Sequence, residues 1–283
     1  VQLQPLVEAL RAILLERDVL HADETPVAML APGKGKTHRA YIWSYSSTQF
    51  DSMHAVVYDF ADSRAAAHPK GFLEGWSGKL VCDDYSGYKG LFATGITEVG
   101  CLAHARRKFN DLWVSHHSAV AEEALKLFAA LYDVEREARE LSAEQRQRLR
   151  QLQSRPIADK FREWLLLHRQ KATDGTAIAK AIDYSLNRWQ ALTRFLDDGT
   201  LPIDNNWVEN RIRPIALGRS NWLFAGSLRA GKRAAAVMSL IQSARLNGHD
   251  PYRYLKDVLE RLPTQPASRI GELLPHSWTP AAP

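Results

Sequence analysis

Cysteine is scarce in this sequence, with Cys82 and Cys101 the two that its 283 residues contain. Two cysteines cannot build the disulfide framework of a small secreted protein, so reduced thiols in the cytoplasm are expected. Also missing are an apolar run long enough to cross a bilayer and a charged-then-apolar leader, which predicts a protein without a membrane partner. Because the chain starts with Val1 instead of methionine, we expect it to be a piece of a longer protein.

Acidic residues are nearly absent between positions 205 and 245. That segment contains one acid, Glu209, and seven basic residues, so its net charge of +6 exceeds the +5 of the whole chain. A second basic cluster comprises Arg106, Arg107 and Lys108. Clustered cations around a few carboxylates are typical of proteins that act on phosphates, although a solvated helix face explains the second cluster equally well.

The spacing of apolar residues predicts strands in the first part of the chain, in a composition that is 45% hydrophobic and 24% charged, as in globular proteins. Residues 3–17 have helical spacing, and a strand at 19–23 is expected to stop before Pro26. Further β-rich runs occur at 41–45, 54–58, 79–83 and 97–101, and helices are predicted at 64–75 and 104–112. This order predicts an α/β fold with a mixed sheet of the ribonuclease-H kind.

The middle of the chain has a different, all-helical character. Residues 121–153 lack glycine and proline and predict one long helix, and Pro156 starts another. No candidate site stands out there. The expected organisation is an N-terminal helix at 1–18, the first part of a ribonuclease-H-like core at 19–112, an all-helical insertion at 113–196, the second part of the core at 197–248, and a C-terminal helix with an extended tail at 249–283.

The stretch at 202–214 predicts a short helix that presents a carboxylate. Val208 and Ile212 lie four residues apart and form an apolar stripe, while Glu209 and Arg213 share another face. The proline at position 214 is expected to end or kink this helix. A surface ion pair between Glu209 and Arg213, contributing a few tenths of a kcal/mol, is the simpler explanation of these two residues.

Two further acids are predicted at strand ends, where the side chains of such sheets converge over a crevice. These are Asp23 and Asp83, and Glu209 lies on a helix that could pack across them. Three carboxylates brought together repel one another unless cations neutralise them, so the set predicts bound Mg²⁺ or Mn²⁺, with two ions expected. Two such ions support in-line displacement at phosphorus, which predicts phosphoryl transfer on a nucleic-acid backbone.

Two other motifs suggest different chemistry on weaker grounds. The run from Gly226 to Lys232 has the G-x-x-x-x-G-K spacing of a phosphate loop, but Arg233 follows where Ser or Thr should hold magnesium. A basic turn that contacts a phosphate backbone fits it better. Cys101-x-x-His104 offers two zinc ligands, too few to close a tetrahedral site even if Cys82 is added.

Several blocks of the sequence together resemble the signature blocks of the DDE transposases of the insertion-sequence-66 family. They are His21-Ala-Asp-Glu-Thr-Pro26, Leu80-Val-Cys-Asp-Asp-Tyr-Ser-Gly-Tyr88, Cys101-Leu-Ala-His-Ala-Arg-Arg-Lys-Phe109, Asp204-Asn-Asn-Trp-Val-Glu-Asn-Arg-Ile-Arg-Pro214 and Asn221-Trp-Leu-Phe-Ala-Gly-Ser227. The segment from Tyr254 to Pro263 and the run Glu272-Leu-Leu-Pro275 are similar to the C-terminal part of that family. The resemblance covers nearly the whole chain, with the blocks in the family's order.

The resemblance implies a bacterial mobile-element transposase with a ribonuclease-H-like core and a catalytic triad of Asp23, Asp83 and Glu209. It also implies that His104 contacts DNA or stabilises developing charge, although a core histidine is the alternative. The sequence departs from the family at Asp84, where a glycine is usual. Because neighbouring strand residues point to opposite faces, Asp83 and Asp84 cannot both enter one site without a bend.

The expected partners are DNA, at the element's ends and at the target, other proteins encoded by the element, and further copies of the chain assembled on DNA. The residues expected to bind DNA are Arg106, Arg107, Lys108, Asn206, Arg211, Arg213, Arg219, Arg229, Lys232 and Arg233. Two alternatives stay open. The chain could be a ribonuclease-H-like nuclease or resolvase that cuts without joining, or a catalytically dead remnant that binds DNA.

Overall fold

A computed structural model of the chain describes residues 3–280, so the outermost residues of the predicted terminal segments lie outside the described part. The strands are β1 (Val19–Met29), β2 (His38–Ser46), β3 (Val56–Ala61), β4 (Lys79–Cys82), β5 (Thr97–Gly100) and β6 (Phe224–Ala225). The helices are α1 (Gln4–Leu14), α2 (Ala67–Phe72), α3 (Leu102–His116), α4 (Ala119–Glu137), α5 (Ala143–Leu149), α6 (Arg155–Lys171), α7 (Ala177–Asn187), α8 (Trp189–Thr193), α9 (Asn206–Trp222), α10 (Leu228–Leu246) and α11 (Pro251–Arg261).

The strands form one mixed sheet in the order β3-β2-β1-β4-β5, with β6 pairing in parallel with β1. β1, β2 and β3 are antiparallel neighbours. The predicted α/β class is therefore confirmed, and the architecture is consistent with a ribonuclease-H-like fold plus helical segments. The chain divides into two compact units, the first formed by residues up to Leu80, 84–97 and from Asn206 onward, and the second by 81–83 and 98–205.

β1 runs without interruption through its proline. Pro26 pairs with Tyr41 of β2, and the ladder continues to Met29. The prediction that Pro26 stops this strand is wrong, because a proline is compatible with a strand wherever its missing N–H is not needed for pairing. Its carbonyl accepts a hydrogen bond of 2.7 Å from Arg219. Asp23 consequently lies within the strand and not at its end.

The core of the first unit lies between the sheet and helices α9 and α10. Its buried cluster comprises Val27, Ala40, Ile42, Val56, Tyr58, Phe60, Ile212, Ile215 and Ala235. α10 also covers β3, the edge strand, and two of its serine hydroxyls take the place of a neighbouring strand as hydrogen-bond acceptors. Ser239 Oγ accepts from the Tyr58 N–H at 2.9 Å, and Ser243 Oγ accepts from the Val56 N–H at 3.0 Å. An edge whose N–H groups are satisfied in this way is not open to another strand.

The second unit is mostly helical, but the single long helix predicted for 121–153 is wrong. The chain leaves the helix after α4, and Ser142 begins α5 with a capping box that includes Gln145. A π-helical turn, Arg150–Ser154, then joins α5 to α6. Helix-favouring composition is a weak local preference, and here the cap at Ser142 and the burial of Arg150 outweigh it.

The C-terminal tail packs on the end of the first unit instead of running extended as expected. It contains a 3₁₀-helix, Ala267–Leu273, and Tyr254 donates a hydrogen bond of 2.8 Å to the Leu273 carbonyl. Trp278 is buried, and its Nε1 donates to Asp257 at 2.7 Å. Across residues 3–280, none of the helices combines the length and the apolar character that a membrane span requires.

Candidate active site

Asp23 and Glu209 lie on two elements of the first unit that pack together, β1 and α9. Asp23 is half-buried, and its Oδ1 accepts a hydrogen bond of 2.9 Å from the backbone N–H of Glu24. That bond limits rotation of the carboxylate. Glu209 lies in the first turn of α9 and is also half-buried. The predicted packing of this helix against the strand is therefore present.

The helix that carries Glu209 is longer than predicted. Val208 and Ile212 are buried, as their spacing indicated, but α9 continues past Pro214 to Trp222. A proline inside a helix removes one backbone hydrogen bond. The Tyr58 hydroxyl donates to the carbonyl of Arg211 at 2.6 Å, which ties this turn of α9 to the sheet.

The simpler explanation of Glu209 as half of a surface ion pair is not supported. Arg213 is exposed and forms no ion pair with Glu209 or with another acid in the described part of the chain. An i,i+4 salt bridge with Arg213 therefore does not explain the presence of Glu209 on this face of α9.

Asp83 and Asp84 have different surroundings. Asp83 directly follows β4 and is half-buried, and Nη2 of the buried Arg188 lies 3.5 Å from its backbone carbonyl. Asp84 is exposed and forms an ion pair of 2.7 Å with Lys89. The departure from the family at position 84 thus places its carboxylate in solvent beside a cation, which favours Asp83 as the acid available to a site.

His104 lies half-buried in the first turn of α3, within the second unit. The preceding Cys101 is fully buried, and its Sγ accepts a hydrogen bond of 3.2 Å from the N–H of Asn205. A further bond of 3.1 Å runs from the Leu102 N–H to the Ile203 carbonyl. These contacts give Cys101 a structural role in holding residues 203–205 against the start of α3. Both cysteines are free thiols.

The residues predicted to bind DNA separate into two groups by exposure. The exposed ones are Arg106, Arg107 and Lys108 on α3, Asn206 and Arg213 on α9, and Arg229, Lys232 and Arg233 on α10. The two others are engaged within the first unit. Arg219 donates to the Pro26 carbonyl and, at 3.1 Å, to Thr25 Oγ1. Arg211 lies 4.1 Å from the Trp207 ring centroid, and burial lowers its pKa.

Comparison with known proteins identifies the family. Residues 1–233 match the family described as "Transposase IS66 family", and residues 239–276 match the "IS66 C-terminal element". The chain belongs to the IS66 transposase family. The predicted resemblance is thereby confirmed over most of the sequence.

Three curated relatives of this IS66 chain come from Sinorhizobium fredii (strain NBRC 101917 / NGR234). Uncharacterized protein y4hP is 35% identical over 299 residues, covering 99% of this chain and 54% of the relative. Uncharacterized protein y4jD is 37% identical over 289 residues (98% and 57%), and Uncharacterized protein y4qI is 38% identical over 294 residues (99% and 54%). The chain therefore spans about half the length of these relatives.

Sequence reasoning missed a buried carboxylate of this IS66 chain next to Asp23. The side chain of Glu24 is 2% exposed. Its Oε1 accepts from Arg64 Nε at 2.7 Å, and its Oε2 accepts from the Tyr88 hydroxyl at 2.8 Å. The Arg64 guanidinium in turn lies 3.8 Å from the Tyr85 ring centroid. Alternation along β1 indicates that Asp23 and Glu24 point to opposite faces, but the partners are 40 and 64 residues away and leave no local signal.

The phosphate-loop spacing of this IS66 chain has a structural explanation. Ser227 caps α10 by accepting from the Ala230 N–H at 3.1 Å, so residues from Leu228 onward are helical and form no loop around an anion. Gly231 lies where a Cβ would come 2.3 Å from Phe60 Cε1. The glycine is therefore needed for close packing of α10 on β3, and not for phosphate binding.

Proposed function

We propose that this chain is the catalytic part of a DNA transposase that cuts and joins strands through Asp23, Asp83 and Glu209. The observation that carries the proposal is the half-buried Glu209 on α9, which packs against the strand that bears Asp23. Membership of a transposase family supports it. The exposed ion pair of Asp84 supports Asp83 as the third acid.

The donor set fits a magnesium or manganese site. Asp23, Asp83 and Glu209 offer carboxylate oxygens, the hard ligands that these cations prefer, and the Glu24 N–H already fixes one oxygen of Asp23. Two acids on packed elements of one unit repel each other, and a divalent cation offsets that repulsion. When bound, Mg²⁺ or Mn²⁺ supplies Lewis-acid stabilisation of a phosphoryl group and lowers the pKa of water; two ions are proposed.

The remaining residues position the polyanion during the two chemical steps. In the first step a water oxygen bonds to phosphorus and the P–O3′ bond breaks, leaving a 3′-hydroxyl at the element's end. In the second, that 3′-oxygen bonds to a phosphorus of target DNA and displaces another 3′-oxygen. In this proposal His104 stabilises the charge that develops, and the exposed cations of α3, α9 and α10 bind phosphates.

Cleavage and joining of labelled element-end DNA, intact and pre-nicked, by the full chain with Mg²⁺ or Mn²⁺ test the proposal. Asp83→Asn should abolish both reactions while leaving DNA binding largely intact, because it removes a negative charge from the proposed catalytic centre and no DNA-binding cation. Asp84→Asn is the matched control and should retain activity, since its carboxylate pairs with Lys89 in solvent. Cleavage that survives Glu209→Ala would overturn the triad.

The products decide between the proposal and its two alternatives. Joined products establish a transposase, whereas cleavage without joining indicates a nuclease or resolvase. If the chain binds DNA equally well with and without metal and neither cuts nor joins it, the chain is a catalytically dead remnant.

Because joining two element ends requires both to be held together, we also propose a DNA-induced oligomer, which sedimentation with and without DNA measures. Proteins of the same element are proposed as further partners.

A further inference from the structure

Three consecutive large apolar residues protrude from the first unit between α9 and α10. Trp222, Leu223 and Phe224, here called the 222–224 tip, are 43%, 63% and 42% exposed. An exposed run of this size is costly in water and marks a surface that contacts something else. Leu223 has φ of 61°, a left-handed conformation that is rare for a residue with a side chain.

The 222–224 tip is held in place at both ends. On one side the Leu223 N–H donates to the Arg219 carbonyl at 2.9 Å, which closes the last turn of α9. On the other side Phe224 pairs with Ala28 of β1, and the Leu30 N–H donates to the Ala225 carbonyl at 2.9 Å. The strained, exposed segment is therefore preorganised by the sheet.

The indole of Trp222 occupies space that a glycine provides. A Cβ at Gly218, one helical turn earlier, would come 2.9 Å from Trp222 Nε1. The rings of Trp222 and Phe224 also line an apolar cleft of about 370 Å³ that reaches α10. The cleft's other lining residues include Pro214, Ile215, Ala230 and Met238.

The segment of the chain that contains the 222–224 tip carries charges of one sign. No acidic residue occurs between Glu209 and Asp250 in the sequence. Arg213 precedes the tip on α9, and Arg229, Lys232 and Arg233 follow it on the first turns of α10, all exposed. A partner that complements this surface needs flat apolar faces together with negative groups on both sides, which is the chemistry of a nucleic-acid strand whose bases are unstacked.

We propose that the 222–224 tip binds an unpaired base of DNA, with Trp222 stacking on it while the neighbouring cations contact the flanking phosphates. The inference rests on the proposed function for the presence of DNA and adds a site for one base. An unpaired base is favoured over a paired one because its π face is accessible and because the tip offers ring faces instead of a row of hydrogen-bond donors.

Duplexes that contain 2-aminopurine test this proposal with the full chain. One duplex carries the fluorescent base unpaired and the other carries it paired with thymine. The expected result is stronger binding of the unpaired form with quenched 2-aminopurine fluorescence, as stacking produces. Trp222→Ala should lower affinity for the unpaired form by roughly five- to one-hundred-fold and leave affinity for the paired form nearly unchanged.

Two variants separate stacking from other effects. Trp222→Phe should keep most of the preference, since it retains an aromatic face. Trp113→Ala is the matched control, because Trp113 is 41% exposed but lies in the second unit, and it should keep the full preference. Equal thermal unfolding of the variants excludes misfolding as the cause.

Three outcomes would count against the inference in different ways. An unchanged preference in Trp222→Ala overturns the base site while leaving the proposed function intact. If the unmodified chain binds neither duplex, both the base site and the proposed function are refuted. If the chain is a dimer without DNA and Trp222→Ala makes it monomeric in sedimentation, the tip is an interface between copies and the base site is refuted.

Discussion

Replacing Glu24 by glutamine should destabilise the chain measurably, although the change is nearly isosteric. The side chain is 2% exposed and accepts hydrogen bonds from Arg64 and Tyr88. Hydrogen bonds to a charged group contribute about 1.5–3 kcal/mol, against about 0.5–1.5 kcal/mol for neutral pairs. Because the Arg64 side chain is 42% exposed and can turn to water, we expect a net loss of about 1–2 kcal/mol instead of the larger cost of a fully buried pair.

Thermal and urea unfolding measure this loss. At about 2–4 °C per kcal/mol for domains of this size, Tm should fall by about 2–8 °C. Glu16→Gln is the matched control, since Glu16 is 65% exposed and its nitrogen–oxygen distance to Arg17 is 3.6 Å; its change should stay within about 0.5 kcal/mol.

A double-mutant cycle of Glu24→Gln with Tyr88→Phe isolates the bond between these two side chains. We expect a coupling energy above about 0.5 kcal/mol, because the pair is in direct contact. The reasoning is refuted if Glu24→Gln is as neutral as Glu16→Gln, or if the two changes are additive. Either result would mean that Glu24 exchanges its partners for water without cost.

Two further substitutions, one in each unit, test how the side chains pack. Arg150→Met should lower the free energy of unfolding in urea by about 3–5 kcal/mol, because the fully buried guanidinium pairs with Glu135 at 2.6 Å and also donates to three backbone carbonyls. Arg136 is exposed, and Arg136→Met, the control, should cost less than about 1 kcal/mol. Equal losses would contradict the buried role. Gly231→Ala should cost about 1–3 kcal/mol despite better helix propensity, since the new methyl group meets Phe60, and Phe60→Leu should recover part of the loss. A stabilised Gly231→Ala chain would show that α10 can shift away from β3.

Much of the fold followed from local patterns. Period-2 and period-3.6 spacing located β2 to β5 and helices α1 and α3 to within a few residues. The stripe of Val208 and Ile212 on α9 is buried, as its spacing predicted. The long sequence blocks identified the family, because many matching residues in a fixed order can be compared without knowing the structure.

Local patterns failed where a distant contact decided the outcome. Pro26 and Pro214 break isolated elements, but β2 pairs across the first and Tyr58 donates to the turn before the second. The helix-favouring run at 121–153 is interrupted, while Arg150 bonds to carbonyls about 50 residues away. Periodicity and propensity report only a few neighbouring residues, whereas these contacts join segments that folding alone brings together.

The chemistry of the acids shows the same division. The order of residues was enough to show that one segment is strongly basic and that Glu209 lies on a helix with an apolar stripe. The folded chain was needed to show that Asp84 pairs with Lys89 in solvent, that Glu24 is buried beside Asp23, and that Gly231 packs on Phe60. Burial and pairing depend on which surfaces meet, and that is settled when the sheet and helices pack.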